Sequence, residues 1–540
     1  MAPVLLEHLP RVASPLGVAS IAVAGLVLLY LIERYVLDVP YPQGIPIIGQ
    51  PEGSRRLSLR TRLRYHTDCE GLFREAYNDY VKKGKPVVIP GFGFRKEVIM
   101  PQSLMKWVLA QPDSVLNVEE AFVEVDQVRW GMGHEKFVSD AWQGMLVKTE
   151  MNQVLEAICA AMNNELGVVF DKHFGTDTAN WKEIDLSSII PIIIAQAASR
   201  FTVGLPLCRD EEYLRNCLNI NEWFIINAGV TGGTPRILQP LVGLLINIPT
   251  RRLLWKMKKW FNPLWKQRLG LLSLDPKDPD HEEPQDHIQM ILRYAQRERQ
   301  HELHDFPTML RRLAATNFGA MHQTKIQVTN LLLNVLGSDA EYNTIAVLRD
   351  EVDRILGDDK DAAWTKAKVN SMTRADSVSR ETLRLQSFGG RAIFRKVLTS
   401  NVETPGGYHL PKNTLLSFLS QPAQTDEEKL DEATKYDPFR FSRMRELAES
   451  RNEKIAPVSL VSTSPEFLPF GHGKHACPGR FLIDFELKMI LAYVLRNYDI
   501  AFAEEYDGKR PPNIWLTEAV LPPDGVKIRV KRRERSATSQ

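Results

Sequence analysis

The sequence contains few cysteines and carries almost no net charge. Its 540 residues include five cysteines, an odd and widely spaced set, which argues against a disulfide framework and favours a reducing compartment for most of the chain. The formal net charge is +2, and the only basic tail is short, so no nucleic-acid partner is expected. Cys477, which lies among glycines and basic residues, needs its own explanation.

The sequence also lacks internal repeats and has only one long hydrophobic run. This run, LGVASIAVAGLVLLYLI at residues 16–32, is near the lower length limit for a helix that crosses a hydrocarbon core of ~30 Å. It is long for a cleaved signal peptide and no small-residue cleavage site follows, which favours an uncleaved membrane anchor within residues 1–36. Residues 37–51 are rich in proline and glycine and indicate a stiff hinge. The flanking charges do not decide the orientation of the anchor.

Most of the remaining chain, residues 52–540, has helical periodicity, with apolar residues three and four apart. Strand-like stretches are short and lie at residues 85–93, 402–418 and 525–533. An acidic segment at residues 275–286 is typical of a surface connection, but no second domain boundary is evident. Composition alone would allow two or three domains at this length. The pattern predicts a mainly α body with small β-sheets.

Two further stretches have compositions that suit contact with a membrane. Ile237–Ile248 is apolar but too short to span, and Arg251–Arg268 interleaves tryptophans with basic residues. The alternative is a buried helix followed by a solvated helix with some aromatic core positions. The sequence leaves both interpretations open.

Cys477 lies in the stretch FLPFGHGKHACPGRF, directly before an apolar run with helical periodicity. Pro478 suits the first position of a helix, so the thiol is expected beside a helix amino terminus, where the helix dipole favours the thiolate. Three glycines allow the loop unusual backbone angles and close approach to a ligand. The nearby basic side chains that would also favour the thiolate are Lys474, His475 and Arg480.

A thiolate in this position indicates a ligand for a metal. Zinc bound by His472, His475 and Cys477 is conceivable, but the other four cysteines form no second ligand pair at zinc spacing. A plain buried cysteine would not require the surrounding glycines and proline. A haem iron fits the pattern better.

The motif Phe470-Gly-x-Gly473-x-His475-x-Cys477-Pro-Gly479 closely resembles the haem-binding signature of the cytochrome P450 family. Histidine in place of the usual arginine resembles its fungal microsomal branch. The resemblance implies that Cys477 is the axial thiolate of haem b, that Phe470 shields the sulfur and that loop amides donate hydrogen bonds to it. The cofactor-binding residues that it implies are Cys477, Phe470, Gly471, Gly473, His475, Gly479, Arg391 and Arg395, the last two as alternative partners for a haem propionate. Arg395 suits the family better, because it opens the predicted β-hairpin.

Two other motifs resemble family elements in the expected order. Glu381 and Arg384 are three residues apart, on one helix face, and resemble the Glu-x-x-Arg pair. The same spacing also occurs at Glu212–Arg215 and Glu351–Arg354, so position relative to Cys477 is what distinguishes this pair. The stretch YDPFRF resembles the Pro-x-Arg-Phe element and makes Arg440 the third member of a buried structural triad, in which every charge needs a partner.

The stretch Pro307–Gly337 resembles the central helix that crosses the distal face of the haem, but it departs from the family pattern. The small pair Gly319-Ala320 remains, whereas the usual acid and alcohol are replaced. The three candidate catalytic residues are His322, Gln323 and Thr324. The resemblance implies a proton relay through at least one of them. Alternatively, His322 and Gln323 only satisfy backbone groups or shape the pocket.

The resemblance covers most of the chain and implies one mainly α catalytic domain with small β-sheets, at residues 52–540, behind an N-terminal transmembrane helix. It also implies the cytosolic face of the endoplasmic reticulum membrane, an NADPH-cytochrome P450 reductase as electron donor and cytochrome b5 as a second candidate partner. Basic residues on the thiolate side would form a docking patch for an acidic flavoprotein or would only be solvated. These residues are Lys474, Arg480, Lys488, Arg443 and Arg445.

The expected activity is that of a haem-thiolate monooxygenase that inserts oxygen into an apolar secondary metabolite such as a terpenoid, polyketide or alkaloid, including successive oxidations. The alternatives are a haem-thiolate isomerase or dehydratase that needs no external oxygen, and a haem-binding membrane sensor or carrier. Conversion of substrate under anaerobic conditions would identify an isomerase or dehydratase. Absence of any product would identify a sensor or carrier. Family pockets suggest as lining residues Trp223, Phe224, Met321, Ala392–Phe394 and Leu516–Leu521.

Overall fold

The computed structural model describes residues 15–32, 42, 44–54, 56–275, 283–357 and 364–534. In these residues the chain is mainly helical with small β-sheets, as predicted. Twenty-two α-helices occur in the described part of the chain: α1 (Pro15–Leu31), α2 (Leu59–Thr67), α3 (Cys69–Asp79), α4 (Met105–Ala110), α5 (Glu119–Val125), α6 (Val128–Gly131), α7 (Lys136–Ser139), α8 (Trp142–Thr149), α9 (Leu155–Phe174), α10 (Leu186–Thr202), α11 (Glu211–Gly233), α12 (Gln239–Ile246), α13 (Ile248–Leu271), α14 (His287–Glu298), α15 (Gln300–Leu303), α16 (Phe306–Tyr342), α17 (Thr344–Leu356), α18 (Lys366–Asn370), α19 (Thr373–Leu385), α20 (Gln421–Gln424), α21 (Arg440–Ser450) and α22 (Arg480–Asn497).

The hydrophobic run of the predicted anchor, residues 16–32, forms a helix over most of its length. Helix α1 has 17 residues and its first and last turns contain no charged side chain. Within the described ranges, none of the helices combines the length and the hydropathy that a membrane crossing requires. The rest of the predicted anchor and part of the predicted hinge, residues 1–14, 33–41 and 43, lie outside the described residues.

Helix α16 forms the centre of the molecule, with 37 residues. It begins after Asp305, whose carboxylate accepts hydrogen bonds from the backbone N–H and the hydroxyl of Thr308. It ends at Asn343, which has a φ of 51° in the left-handed region. Buried apolar side chains of α9, α10, α16 and α22 belong to one large hydrophobic cluster. This core places the middle of α16 close to α19 and α22, the two helices that carry the other family motifs.

The strands are short and form four small sheets. They are β1 (Val87–Pro90), β2 (Lys96–Ile99), β3 (Leu116–Asn117), β4 (Lys182–Asp185), β5 (Arg391–Val397), β6 (Val402–Glu403), β7 (His409–Leu410), β8 (Leu415–Leu419), β9 (Tyr498–Phe502), β10 (Ile514–Leu516), β11 (Ala519–Leu521) and β12 (Lys527–Arg532). The largest sheet has the order β1-β2-β8-β5-β3, in which only the β2–β8 pair is parallel. The three predicted strand regions contain β1, β6 to β8 and β12.

Strand β5 contains an irregularity that matters for the site. Its residues alternate between buried and partly buried positions, so Arg391 and Arg395 both lie on the buried face. Between Ala392 and Arg395 the pairing with β8 shifts register, and Ile393 has a φ of 57°. This bulge changes the direction of the strand between the two arginines.

The two stretches with membrane-compatible composition form α12 and α13 and differ in exposure. In α12, Leu241, Leu244 and Leu245 are exposed, and Leu241 retains 61% of its accessible surface. In α13, Trp255 is exposed, whereas Trp260 is buried and its indole N–H donates to Asp210. Helix α13 is therefore amphipathic and packs on the core, while α12 presents leucines at the surface.

Candidate active site

The loop before Cys477 folds back on itself. The backbone N–H of Cys477 donates to the carbonyl of Phe470 at 2.8 Å, and that of Ala476 donates to the carbonyl of Gly473 at 3.1 Å. Gly471 and Gly473 have φ values of 66° and 76°, a region that favours glycine over residues with a β-carbon. The tight loop therefore depends on glycine at these two positions.

The thiol of Cys477 is unpaired and partly exposed, and helix α22 begins three residues later. Burial raises the pKa of the thiol, and it outweighs the lowering of this pKa by the backbone amides of Gly479 and Arg480 and by the charge of Arg480. Arg480 therefore acts on the thiol in the predicted direction, but burial outweighs its charge. Binding of a metal to the sulfur would reverse this, because a coordinating thiol is deprotonated.

The basic neighbours of Cys477 have other partners. Lys474 Nζ and His475 Nε2 lie 2.9 and 3.0 Å from the same oxygen of Asp113. His472 Nδ1 lies 2.9 Å from the hydroxyl of Thr463. Among the described residues, no group of three His, Cys, Asp or Glu side chains could hold a metal ion, which removes the zinc alternative for this part of the chain.

The residues that surround the thiol fit a haem group. Cys477 is partly exposed and its thiol is free. Phe470 is partly buried and packs against the main core at the start of the loop. Gly471 and Gly473 thus shape a loop that can present the single sulfur ligand of Cys477, which is the donor set of a haem-thiolate site.

Arg391 and Arg395, the two alternative propionate partners, have different surroundings. Arg391 Nη1 lies 2.6 Å from Glu97 Oε2, and its Nε donates to Glu518 Oε2 at 2.7 Å. Two carboxylates already neutralise this guanidinium, which favours Arg395 over Arg391 as the propionate partner. Sequence reasoning missed Glu97 and Glu518, since no local spacing relates them to Arg391.

Arg395 is buried and has no ion pair among the described residues. Its Nη1 donates to the carbonyl of Phe394 at 2.8 Å. Burial lowers the pKa of its guanidinium despite the charges of Asp113 and Glu119. A buried cation without an ion pair fits an anionic group of a cofactor, so Arg395 remains the propionate candidate.

The three candidate catalytic residues of α16 lie in different environments. Gln323 is exposed, on the same helix face as the exposed Gly319 four residues earlier. Thr324 is buried, and its hydroxyl donates to the carbonyl of Ala320 at 2.8 Å. His322 is buried, with neither ring nitrogen hydrogen-bonded. The helix therefore does not bring the three side chains to one point.

The ring of His322 lies between two aromatic rings. It stacks on Phe318 with centroids 5.3 Å apart and meets the edge of Phe388 at 5.6 Å. Phe318 in turn contacts Phe224 of α11 at 5.9 Å. Burial, and to a smaller extent Lys325, lowers the pKa of His322 to about 4, so the imidazole is neutral at neutral pH. His322 therefore packs in a row of aromatic rings, and its low pKa makes it a weak base for a proton relay.

The triad residues are brought together by α19 and α21. Arg384 Nε and Nη2 each lie 2.7 Å from one oxygen of Glu381, and Arg440 Nε lies 3.2 Å from Glu381 Oε1. Arg384 Nη1 also donates to the carbonyls of Gln424 and Ala433. All charges in this cluster are paired, which is the condition for burying them.

The Glu-x-x-Arg spacings at Glu212 and Glu351 form no such cluster. Glu212 pairs with Lys256 and Lys259 at the surface, and Glu351 accepts from backbone N–H groups. The spacing alone does not distinguish Glu381 from Glu212 and Glu351. Its position relative to Cys477 in the chain does.

The prediction of a basic docking patch is wrong for Lys488, which is buried. It is weakened for Arg443 and Arg445, because both already have acidic partners. Lys488 is 3% exposed and lies between Asp376 and Asp484. Arg443 and Arg445 form ion pairs with Asp437 and Asp376. Helical periodicity placed Lys488 on α22 but could not show which face of the helix is buried.

Comparison with known proteins agrees with the geometry. The cytochrome P450 family model matches residues 152–530, well over half of the chain. The chain is 51% identical over 518 residues to cytochrome P450 monooxygenase pbrC of Penicillium brasilianum, which covers 95% of this chain and 97% of the relative. It is 50% identical to cytochrome P450 monooxygenase astC of Aspergillus terreus, with coverage of 93% and 94%, and 41% identical to cytochrome P450 monooxygenase tenB of Beauveria bassiana, with coverage of 98% of each chain. The chain belongs to the cytochrome P450 family.

Proposed function

We propose that this cytochrome P450, a monooxygenase like its relatives, inserts an oxygen atom from O2 into an unactivated carbon of an apolar secondary metabolite. The observation that carries the proposal is the free thiol of Cys477, which a glycine-dependent loop holds directly before helix α22. The proposed substrate is a terpenoid, a polyketide or an alkaloid. It undergoes one oxidation or several successive oxidations.

Haem, when bound, supplies the activation of dioxygen and the transfer of one oxygen atom. Cys477 is assigned as its axial ligand. The amides of Gly479 and Arg480 moderate the electron donation of the sulfur, because hydrogen bonds to the thiolate withdraw charge from it. Arg395 is assigned to a propionate, since its buried charge has no ion pair among the described residues.

On the distal side we assign different roles to the three residues of α16. Gln323 has an accessible amide and lies on the face of Gly319, where a missing side chain leaves room for a small ligand. Its amide can donate and accept hydrogen bonds and thus hold a water molecule that carries protons. His322, neutral and enclosed by Phe318 and Phe388, shapes the pocket wall. Thr324 holds its proton on the Ala320 carbonyl and retains its lone pairs as acceptors.

We further propose that the chain acts at the cytosolic face of the endoplasmic reticulum membrane. The support is the apolar composition of α1 and the exposed leucines of α12, which are suited to contact with lipid. Electrons would come from NADPH through a cytochrome P450 reductase, with cytochrome b5 as a second candidate donor. Alkaline carbonate extraction of microsomes tests the location: full-length protein should remain with the membrane pellet, and a variant without residues 1–36 should be released in part. Release of the full-length protein would contradict the proposal.

A carbon monoxide difference spectrum tests the thiolate ligand. Reduced wild type should show the red-shifted Soret band of thiolate ligation, and Cys477→Ala should lose it. Cys159→Ala, which removes another buried free cysteine, is the matched control and should keep the band. A normal band in Cys477→Ala would refute the assignment.

Turnover with the reductase, NADPH and ¹⁸O2 tests the reaction. Products of candidate metabolites should gain one ¹⁸O atom per oxidation, and omission of NADPH or oxygen should abolish them. Conversion under anaerobic conditions would contradict the monooxygenase proposal and favour an isomerase or dehydratase.

A further inference from the structure

A cavity of about 430 Å³ lies between helices α9, α10 and α13 and the segment that leads into α14. Pockets that hold small organic molecules measure roughly 300–1,000 Å³, so this space is large enough for a ligand. Ala157 and Leu205 lie on its wall and are exposed, so the cavity can be reached from the surface. Among the described residues that line it, none belongs to the loop of Cys477, to strand β5 or to α16. The cavity is therefore separate from the haem site.

One side of the cavity is apolar. Ala157 and Ala161 are four residues apart on the same face of α9, and their small side chains leave room in front of the helix. Met162 of α9 and Phe201 of α10 are buried and complete this wall. Because removal of apolar surface from water is favourable, the wall suits a hydrocarbon chain.

Arg268 brings a buried positive charge to the same cavity. It is 4% exposed, and its Nη2 donates to Asp286 Oδ2 at 2.5 Å and to the carbonyl of Val203 at 3.5 Å. Its Nε and Nη1 are buried and have no hydrogen-bond partner in the described part of the chain. A guanidinium has five N–H donors, and buried donors are seldom left without an acceptor. The protein therefore satisfies only part of this guanidinium.

The two carboxylates on the cavity wall already have cations. Asp286 pairs with Arg268 and also accepts a hydrogen bond from the backbone N–H of Gln289 at 3.1 Å. Glu283 Oε1 lies 2.7 Å from Arg293 Nε. Each negative charge is thus balanced by one arginine, and neither leaves an uncompensated charge that would repel an anion from the cavity.

Arg200 adds a positive charge that no carboxylate balances. It lies in the last turn of α10, lines the cavity and is partly exposed. Its guanidinium forms no ion pair and no hydrogen bond with any residue that the structure describes. The cavity wall therefore carries one excess positive charge beside its apolar side. Arginine binds carboxylates through two parallel N–H···O bonds, which makes this charge a selective one.

We propose that this cavity is a second ligand site, which binds a monocarboxylate with an aliphatic body. Its carboxylate lies at Arg200, and its hydrocarbon part lies on the wall formed by α9 and Phe201. The inference goes beyond the oxygenation assigned to the Cys477 site and does not depend on it.

Isothermal titration calorimetry of the purified holoenzyme tests the proposal. The haem pocket is first saturated with clotrimazole, whose azole nitrogen ligates iron and shifts the Soret band, so that further binding reports another site. The probes are decanoate, decanol and decyltrimethylammonium. Wild type should bind decanoate saturably and at least about fivefold more tightly than decanol, with the cation weakest. In Arg200→Gln the preference for decanoate over decanol should fall below about twofold, with decanol affinity unchanged.

The matched control is Arg215→Gln, which removes one exposed arginine of α11 that lies 4.0 Å from Glu211. It should keep the preference for decanoate, and Arg200→Lys should keep part of it, because the charge remains. Ala161→Phe places a ring in the cavity and should weaken decanoate and decanol by similar factors. Far-ultraviolet circular dichroism and the carbon monoxide Soret band show that each variant is folded.

Equal affinity of wild type for decanoate and decanol, absence of saturable binding, or a preference that persists in Arg200→Gln would overturn the inference. Displacement of clotrimazole by decanoate, seen as a reversal of the Soret shift, would also overturn it, because the carboxylate would then occupy the haem pocket. Absence of the azole-induced shift would instead count against the haem site, and comparison of wild type with Arg200→Gln would still decide the inference.

Discussion

Arg384 and Arg391 are both buried and both held by carboxylates, but the partners come from different distances along the chain. Arg384 pairs with Glu381, three residues earlier on the same helix. Arg391 pairs with Glu97 and Glu518, which are 294 and 127 residues away. The first pair could be read from helical spacing, while the second exists only because a sheet and a turn converge. A buried ion pair is therefore predictable from the sequence when its partners lie close together along the chain. When the partners are remote in sequence, the same arginine is easily taken for a ligand-binding residue.

The largest expected effect comes from breaking the local cluster. Glu381→Gln would leave Arg384 and Arg440 buried without a carboxylate, and the free energy of unfolding should fall by about 3–5 kcal/mol. Urea unfolding of the haem-free protein measures this. A loss below about 1 kcal/mol would mean that backbone carbonyls alone satisfy the two arginines.

The distant cluster should respond similarly, whereas Arg395 should not. Arg391→Met should lower the free energy of unfolding of the haem-free protein by about 3 kcal/mol, since it leaves Glu97 and Glu518 unpaired. Arg395→Met should leave this free energy near the wild-type value but speed the loss of haem to apomyoglobin, because the buried charge of Arg395 is assigned to the cofactor.

The opposite pattern would reverse the two assignments. Faster haem loss in a stable Arg391→Met protein would mean that Arg391 holds a propionate after all. Arg391→Lys, which keeps the charge but not the forked geometry, should recover part of the stability.

A buried carboxyl group that has no ion pair with any of the described residues provides the contrasting case. Glu486 of α22 is 1% exposed, and burial raises its pKa to about 8. The folded state therefore binds a proton that the unfolded state releases, so stability is full below pH 4.5 and is lost as the pH rises towards 8, by about 1.4 kcal/mol per unit.

Glu486→Gln removes this titration. Between pH 5 and pH 8, urea midpoints of wild type should fall more steeply than those of the variant. Glu449→Gln, at an exposed position of α21, should behave as wild type. Equal slopes in Glu486→Gln and wild type would show that Glu486 is ionised without cost.

The smallest effect is expected at the edge of the distant cluster. Arg236 is largely exposed and lies 2.9 Å from Glu124. Because water screens such pairs, Arg236→Gln should change the free energy of unfolding by less than about 1 kcal/mol. Urea unfolding measures this change. A larger effect would place Arg236 among the interactions that hold α5 to the rest of the fold.

Much of the fold was accessible to pattern reasoning. The predicted helical stretch Pro307–Gly337 lies within α16, and the three predicted strand regions correspond to β1, β6 to β8 and β12. The family motifs also indicated the correct loop for the thiol. What the sequence did not show is how burial and remote partners change these electrostatics: burial outweighs the charge near Cys477 and raises its pKa, Lys474 and His475 pair with Asp113, and Lys488 is buried. Charges interact through space, so their partners depend on elements that are remote in sequence.

The sequence by itself determined the helical body, the glycine-rich loop that presents Cys477 and the Glu381–Arg384 pair, because each depends on spacing within a few residues. Tertiary structure alone decided that Arg391 meets Glu97 and Glu518, and that Gln323 is exposed while His322 is enclosed. These outcomes follow from which surfaces become buried together and lose their water, a property of the assembled chain and not of any segment.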